Sequence, residues 1–231
     1  MNKNTNKSLY IKSCFNDDNT KFEGIILSTA TGFLVKENEE IFLITNRHVV
    51  TGKNIFTGNL LDNKMASVPN ELIIEFPYEV RRINSDDKFW SNPFKVKLYQ
   101  HDTIIYDEKL WIEHPIYKDK VDIIAINVTS ICKNSIEVLY NIGNCSYVNI
   151  PLYENIASMD IIPKVTDPVF VVGYPYGYST TSKRFLPIWS GATIASEYEE
   201  NLTVPIDYID QYSKIYQKSK LESDKLSNLL F

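Results

Sequence analysis

The sequence predicts an all-β protein built as a barrel or a sandwich. Short runs rich in β-branched and aromatic residues recur between about residues 20 and 207, and clusters of Asn, Asp, Pro or Lys separate them. Over the same range no long segment keeps the 3.6-residue apolar period of a helix. Many short strands at fairly regular spacing are typical of barrels and sandwiches.

The strands are expected to follow one another with short polar connections. In chain order they are predicted at residues 22–27, 32–35, 41–45, 72–76, 94–98, 103–106, 121–128, 169–172, 187–195 and 202–206. Residues 36–40 are polar and predict a hairpin loop between the second and third strands. Polar residues punctuate the stretch 129–150, which we expect to be a connector.

The character of the chain changes after about residue 208. Residues 211–231 are rich in Lys, Ser and Leu and contain neither Gly nor Pro. Their apolar side chains form a patchy face made of Tyr212, Ile215, Tyr216, Leu226, Leu229 and Leu230. This pattern predicts a C-terminal helix.

Composition and charge narrow the function classes. The formal net charge is -5 and the pI is about 5.3, which argues against a nucleic-acid binder with its basic stripe. Residues 1–7 are polar and no apolar signal region follows them, while the longest apolar runs are far too short to span a membrane. We therefore expect a cytoplasmic protein without a membrane partner.

Cysteine and histidine are too scattered to predict a metal site. The three cysteines are Cys14, Cys132 and Cys145, and no C-x-x-C pair occurs. An odd count without a secretory signal does not suggest a disulfide framework. We expect buried cysteines, no metal and no cofactor.

Two polar residues stand where predicted strands begin or end. The strand at 41–45 runs into a polar turn that delivers His48. Asp122 stands at the head of an apolar run, and a carboxylate entering a buried strand needs a partner such as an imidazole N–H. Taken singly, each has a common structural explanation, as a surface histidine or a turn aspartate.

Four ordered segments resemble the bacterial trypsin-like serine peptidases, which have the chymotrypsin fold. They are a G-F-L-V strand (Gly32 to Val35), an I-T-N-R-H-V-V segment (Ile44 to Val50), a W-x-x-H-P and V-D-I-I-A-I segment (Trp111 to Ile126), and a V-G-Y-P to G-x-x-I-A-S segment (Val172 to Ser196). The resemblance covers roughly residues 20–200. Ala30 departs from it, since the family usually has a glycine there.

The resemblance implies a chymotrypsin-like double β-barrel with an incomplete second barrel and a C-terminal helix. It divides the chain into an N-terminal extension (1–19), a first barrel carrying His48 and Asp122 (20–135), a partial second barrel (136–207) and a helical tail (208–231). It also implies peptide-bond hydrolysis, with a protein or peptide as substrate or ligand. By resemblance His48 is the general base and Asp122 is the carboxylate that orients it. Trp111 and His114 also match the family, and a structural role is the default for His114.

The resemblance fails where the nucleophile is expected. The family carries its serine in a Gly-x-Ser-Gly loop after an aspartate, and Asp207 or Asp210 could be that aspartate, but no glycine follows Gly191. Ser190 comes too early, and Ser213 and Ser219 lie in the predicted helix. Loss of a triad serine costs about 10⁶ in turnover, and loss of an oxyanion donor costs about 10²–10³ more. The sequence thus predicts a protein without appreciable triad-type activity.

Three hypotheses remain open at this point. The chain is a trypsin-like peptidase whose nucleophile segment has been lost by truncation, frameshift or a split gene. Alternatively, it is a pseudopeptidase that keeps the fold as a protein-binding or scaffolding module. The third hypothesis is an active enzyme with an unrecognised nucleophile.

Overall fold

Strands dominate the computed structural model, which describes residues 5–16, 24–61, 67–82, 85–100, 108–134, 145–150, 152–154, 164–179 and 186–195. The strands are β1 (Leu9–Phe15), β2 (Ile25–Glu37), β3 (Glu40–Thr45), β4 (Glu71–Arg82), β5 (Ser85–Lys97), β6 (Ile112–Glu113), β7 (Ile124–Asn127), β8 (Cys145–Asn149), β9 (Leu152–Glu154), β10 (Pro168–Gly173) and β11 (Ile188–Thr193). The predicted all-β character is confirmed for these residues.

Helical structure is short by comparison. The α-helix α1 spans Arg47–Thr51, and 3-10 turns span Thr5–Lys7 and Pro175–Gly177. Residues 129–134 are also helical. Within the described ranges, no helix is both long and apolar enough to cross a membrane.

Nine of the strands form one sheet that curls into a half-barrel. Its strand order is β5-β4-β1-β2-β3-β7-β6, with β8 paired to β4 and β9 paired in parallel to β2. The side chains enclosed by the curl form one apolar core, in which Leu9, Ile11, Leu34, Leu43, Leu72, Ile74, Leu98 and Ile124 are almost completely buried. Burying each such side chain contributes about 1.5–3 kcal/mol.

The centre of this sheet includes a strand that the sequence analysis does not predict. β1 lies within the expected N-terminal extension, yet it pairs antiparallel with both β2 and β4. Both of its faces are largely buried. A strand covered on both sides lacks the period-2 alternation by which strands are recognised.

The described parts of residues 136–207 contribute strands to two sheets. β8, inside the expected connector, and β9 both join the main sheet, whereas β10 and β11 pair with each other. A second barrel and the chymotrypsin fold therefore stay expectations. The strands predicted at 103–106 and 202–206 and the C-terminal helix lie outside the described residues.

Close backbone approach explains a glycine at the end of β10. The Tyr174 N–H donates to Thr31 Oγ1 at 2.9 Å, and Ser8 Oγ donates to the Val172 carbonyl at 3.1 Å. A Cβ at Gly173 would lie 2.8 Å from Thr31 Oγ1. Only glycine allows this approach to β2 without displacing the threonine.

The chain divides into two structural units. The first comprises residues 1–161 and 168–192, and the second comprises residues 162–167 and 193–231. The described part of the second unit is residues 164–167 and 193–195. There the Thr166 N–H donates to the Ile194 carbonyl at 2.8 Å, and the Ile194 N–H donates to the Asp167 carbonyl at 3.1 Å.

Candidate active site

The site lies at one end of the antiparallel pair β3 and β7. Thr45, the last residue of β3, pairs with Ile124, the first residue of β7. Residues that leave β3 and residues that enter β7 therefore meet at the same end of the sheet. This register brings the His48 segment to Asp122, which lies two residues before β7.

The helix α1 presents His48 and is held mainly by tertiary contacts. It has five residues, too few to be stable alone in water. Val49 and Val50 are buried in the core, and Ser13 Oγ donates to the Val49 carbonyl at 2.8 Å. The helix ends at Gly52, whose φ is 63° and whose N–H donates to the His48 carbonyl at 2.9 Å.

His48 and Asp122 form a close hydrogen-bonded pair. The distance from His48 Nδ1 to Asp122 Oδ2 is 2.6 Å, and the His48 backbone N–H donates to Asp122 Oδ1 at 2.8 Å. An ionised carboxylate can only accept, so the Nδ1 atom carries the proton in this bond. In the neutral imidazole Nε2 is then the basic atom. The contact expected from the sequence is confirmed, while its catalytic role stays a prediction.

The carboxylate of Asp122 is kept ionised by its donors. Burial alone would raise the pKa of the Asp122 carboxyl, but the hydrogen bonds and charge of His48, together with Asn46, hold that pKa below its usual value. The side chains of His48 and Asp122 are 40% and 25% exposed. The pair is thus partly open to solvent.

Asn46 is a member of the site that the sequence analysis does not single out. Its side-chain amide donates to the Asp122 carbonyl at 3.0 Å and to Asp122 Oδ2 at 3.3 Å. Asparagine at a helix N-cap usually accepts from the first turn, but Asn46 makes no such bond. The signal in the sequence that could have identified Asn46 is its position directly after β3 and two residues before His48.

Trp111 and His114 take structural positions in the segment that precedes Asp122. The Trp111 side chain is buried, and its indole N–H donates to Glu113 Oε1 at 3.1 Å. His114 Nδ1 accepts the backbone N–H groups of Ile116 and Tyr117 at 3.2 and 3.1 Å. His114 therefore braces the turn that leads toward Asp122, in agreement with its expected structural role.

Among the described residues, no contact links a candidate nucleophilic serine to His48 or Asp122. Ser190 is an exposed residue of β11, and Ser213, Ser219, Asp207 and Asp210 lie outside the described residues.

The cysteine side chains that the structure describes are not suited to nucleophilic attack. The side chains of Cys14 and Cys132 are buried, and burial raises the pKa of Cys132 to about 11. At neutral pH that thiol stays protonated and is a poor nucleophile. Across the described part of the chain, no cluster of three or more His, Cys, Asp or Glu side chains is arranged to hold a metal ion.

Comparisons of the chain with protein-family models, with curated proteins and with solved structures each return no match. The geometry of the site and the sequence motifs are therefore the features that indicate a function.

Proposed function

We propose that this chain is a trypsin-like serine endopeptidase-family protein in which His48 is the general base and Asp122 is the carboxylate that orients it. The observation that carries the proposal is the 2.6 Å contact between His48 Nδ1 and Asp122 Oδ2. The second bond, from the His48 backbone N–H to Asp122 Oδ1, supports it because it holds the carboxylate against the histidine from two directions.

The chemistry of the pair follows from the position of the proton. With Nδ1–H bonded to Asp122, the His48 Nε2 atom takes the proton of a serine hydroxyl as its oxygen attacks a peptide carbonyl carbon. The ionised Asp122 stabilises the resulting imidazolium. The same Nε2 atom then returns the proton to the departing amine, which completes the breaking of the peptide bond.

The serine that this chemistry requires has no recognisable motif in the sequence. No Ser-Gly pair occurs after Ser190-Gly191, and residues 192–231 contain no glycine for an oxyanion loop. We therefore expect residues 1–231 by themselves to show no peptide hydrolysis that depends on the pair. Both hypotheses that lack a nucleophile, the incomplete peptidase and the pseudopeptidase, share this expectation.

A serine-directed fluorophosphonate probe tests the proposal on the purified chain. We expect no adduct at any serine by mass spectrometry and no cleavage of a mixed peptide substrate, with the His48→Ala variant as the matched control. An adduct that forms in wild type and disappears in His48→Ala would identify the nucleophile. It would overturn the expectation that the chain is inactive. Cleavage that survives His48→Ala would overturn the role of the pair.

A further inference from the structure

Three consecutive side chains at the start of α1 bond to carboxylates of one neighbouring segment. Asn46 and His48 reach Asp122, and between them the Arg47 Nε–H donates to Glu113 Oε1 at 3.1 Å. Arg47 thus points to a second carboxylate that the chemistry of the pair does not use.

Strand register explains why Glu113 is within reach of Arg47. Glu113 pairs with Ile124 across β6 and β7, and Ile124 pairs with Thr45 across β7 and β3. The three residues form one row across three strands. Arg47, two residues beyond Thr45, therefore links the two strands that flank β7 at the end where Asp122 enters.

The Glu113 carboxylate is itself anchored. Its Oε1 atom also accepts from Trp111 Nε1 at 3.1 Å and from Lys109 Nζ at 3.4 Å. The Trp111 ring belongs to the buried core and packs edge-on against Tyr99 at 5.4 Å between ring centroids. Arg47 is therefore tied to a fixed point of the sheet.

The environment favours a strong ion pair at this position. The side chains of Arg47 and Glu113 are only 17% and 18% exposed, so water screens their attraction less than at an open surface. Burial alone would raise the pKa of the Glu113 carboxyl, but its bonds to Trp111 and Arg47 and the Lys109 charge hold that pKa below the usual value. Glu113 is ionised at neutral pH.

The helix that carries His48 needs such an anchor. α1 has five residues and no side-chain cap at its N-terminus, so the intrahelical bonds alone do not define its orientation. The Ser13 bond holds its later half through Val49. Arg47 is its first residue, and the imidazole of His48 follows directly.

We propose that Glu113 is a positioning residue, which holds α1 through Arg47 so that the His48 imidazole keeps its hydrogen bond to Asp122. The proposal rests on the proposed function of the pair. Glu113 touches neither reacting group and acts only through Arg47.

Nitrogen-15 NMR of the His48 side chain in the full chain is the test. Glu113→Gln keeps the shape of the side chain and removes its charge. We expect the Nδ1 proton of His48 to exchange with water about 3- to 10-fold faster in this variant, because residues of one hydrogen-bonded network are energetically coupled. Arg47→Met is expected to have the same effect, and the double variant is expected to add nothing further.

A second ion pair of the same sheet provides the matched control. Lys12 Nζ and Glu75 Oε1 are 3.1 Å apart, with side chains 27% and 15% exposed. Glu75→Gln should leave the exchange rate of the His48 Nδ1 proton unchanged. Arg47→Lys keeps the positive charge, so the His48 Nδ1 proton should exchange more slowly in this variant than in Arg47→Met.

The outcomes separate the two proposals. Unchanged exchange in Glu113→Gln, or in Arg47→Met if the first variant does not fold, overturns the positioning role while the pair stands. Equal acceleration in Glu75→Gln also overturns it, because the effect would then be one of general stability. A wild-type His48 with no protected Nδ1 proton overturns the proposed function itself.

Discussion

Asp122 links the residues at the end of β3 to the residues at the start of β7. Its carboxylate accepts from the backbone and side chain of His48 and from Asn46. Hydrogen bonds to an ionised group contribute about 1.5–3 kcal/mol each when both partners are held in place. The residue therefore affects stability as well as the proposed chemistry.

Replacing Asp122 by Asn should lower the free energy of unfolding by about 1–3 kcal/mol at pH 7. Because the pKa of Asp122 is lower in the folded than in the unfolded chain, its contribution is present above about pH 4 and is lost as the pH falls through the folded pKa. The difference between wild type and Asp122→Asn should thus shrink below about pH 4. Urea unfolding followed by tryptophan fluorescence at pH 7 and pH 3 measures it.

Asp119→Asn is the control for this prediction. Asp119 is an exposed residue of the loop that leads to Asp122. Its substitution should leave the free energy of unfolding nearly unchanged at both pH values. A wild-type advantage over Asp122→Asn that grows as the pH falls would contradict the assignment of Asp122 as an ionised acceptor.

The strand ends drew attention to His48 and Asp122, and the resemblance of the four ordered segments paired them, but neither indicated the ion pair beside them. A carboxylate at the head of an apolar run and a histidine after a strand are visible in one sequence. The contact between Arg47 and Glu113 depends on the register of β6 against β7 and of β7 against β3. That register follows from how the sheet packs as a whole, which a local pattern does not contain.

At the scale of elements, the C-terminal end of α1 is determined by the conformation of the residue that follows it. Its end at Gly52 requires a left-handed backbone, and a Cβ there would lie 2.9 Å from Pro69 Cδ. The conformation and the contact both oppose any side chain. The end of the helix that carries His48 is thus fixed by one glycine.

Gly52→Ala should destabilise the protein more than Gly58→Ala does. Both glycines have a positive φ, which costs a side-chain residue about 1–2 kcal/mol. Gly58 has open space around it, whereas Gly52 faces Pro69, so only Gly52→Ala adds a steric penalty. Thermal unfolding of the two variants makes the comparison, and an equal loss in both would refute the role of the Pro69 contact.

Several strands were predictable because their burial alternates or their runs are β-branched. β2 and β3 coincide with predicted runs, although β2 is one continuous strand through residues 25–37 where two were predicted. β1 was not predicted because both of its faces are covered, so its sequence lacks an alternating pattern. β8 was not predicted because it lies in a stretch interrupted by polar residues, and its pairing with β4 outweighs that local signal.

For the whole molecule, β1 is the strand on which the half-barrel depends. It lies between β2 and β4, and its inward side chains join the central core. All-β architecture could be predicted from composition and spacing. The inclusion of residues 9–15 in the main sheet could not, because it results from long-range pairing.

Ile11→Ala should therefore lower the free energy of unfolding by about 2–5 kcal/mol, the range for a buried isoleucine. Ile25→Ala removes the same atoms from β2, where the side chain is 48% exposed, and should cost much less. Chemical denaturation of both variants distinguishes them. A loss for Ile11→Ala no greater than that for Ile25→Ala would mean that β1 is not part of the core.

Nitrogen-15 NMR of His48 in the wild-type chain tests the proposed catalytic role of the His48–Asp122 pair most directly. With the Nδ1–H bonded to Asp122, His48 should occupy the Nδ1-protonated tautomer at neutral charge, with a proton protected from exchange, and Asp122→Asn should abolish that protection. An Nε2-protonated His48, or an Nδ1 proton that exchanges equally fast in wild type and Asp122→Asn, would contradict the assignment of His48 as an oriented general base.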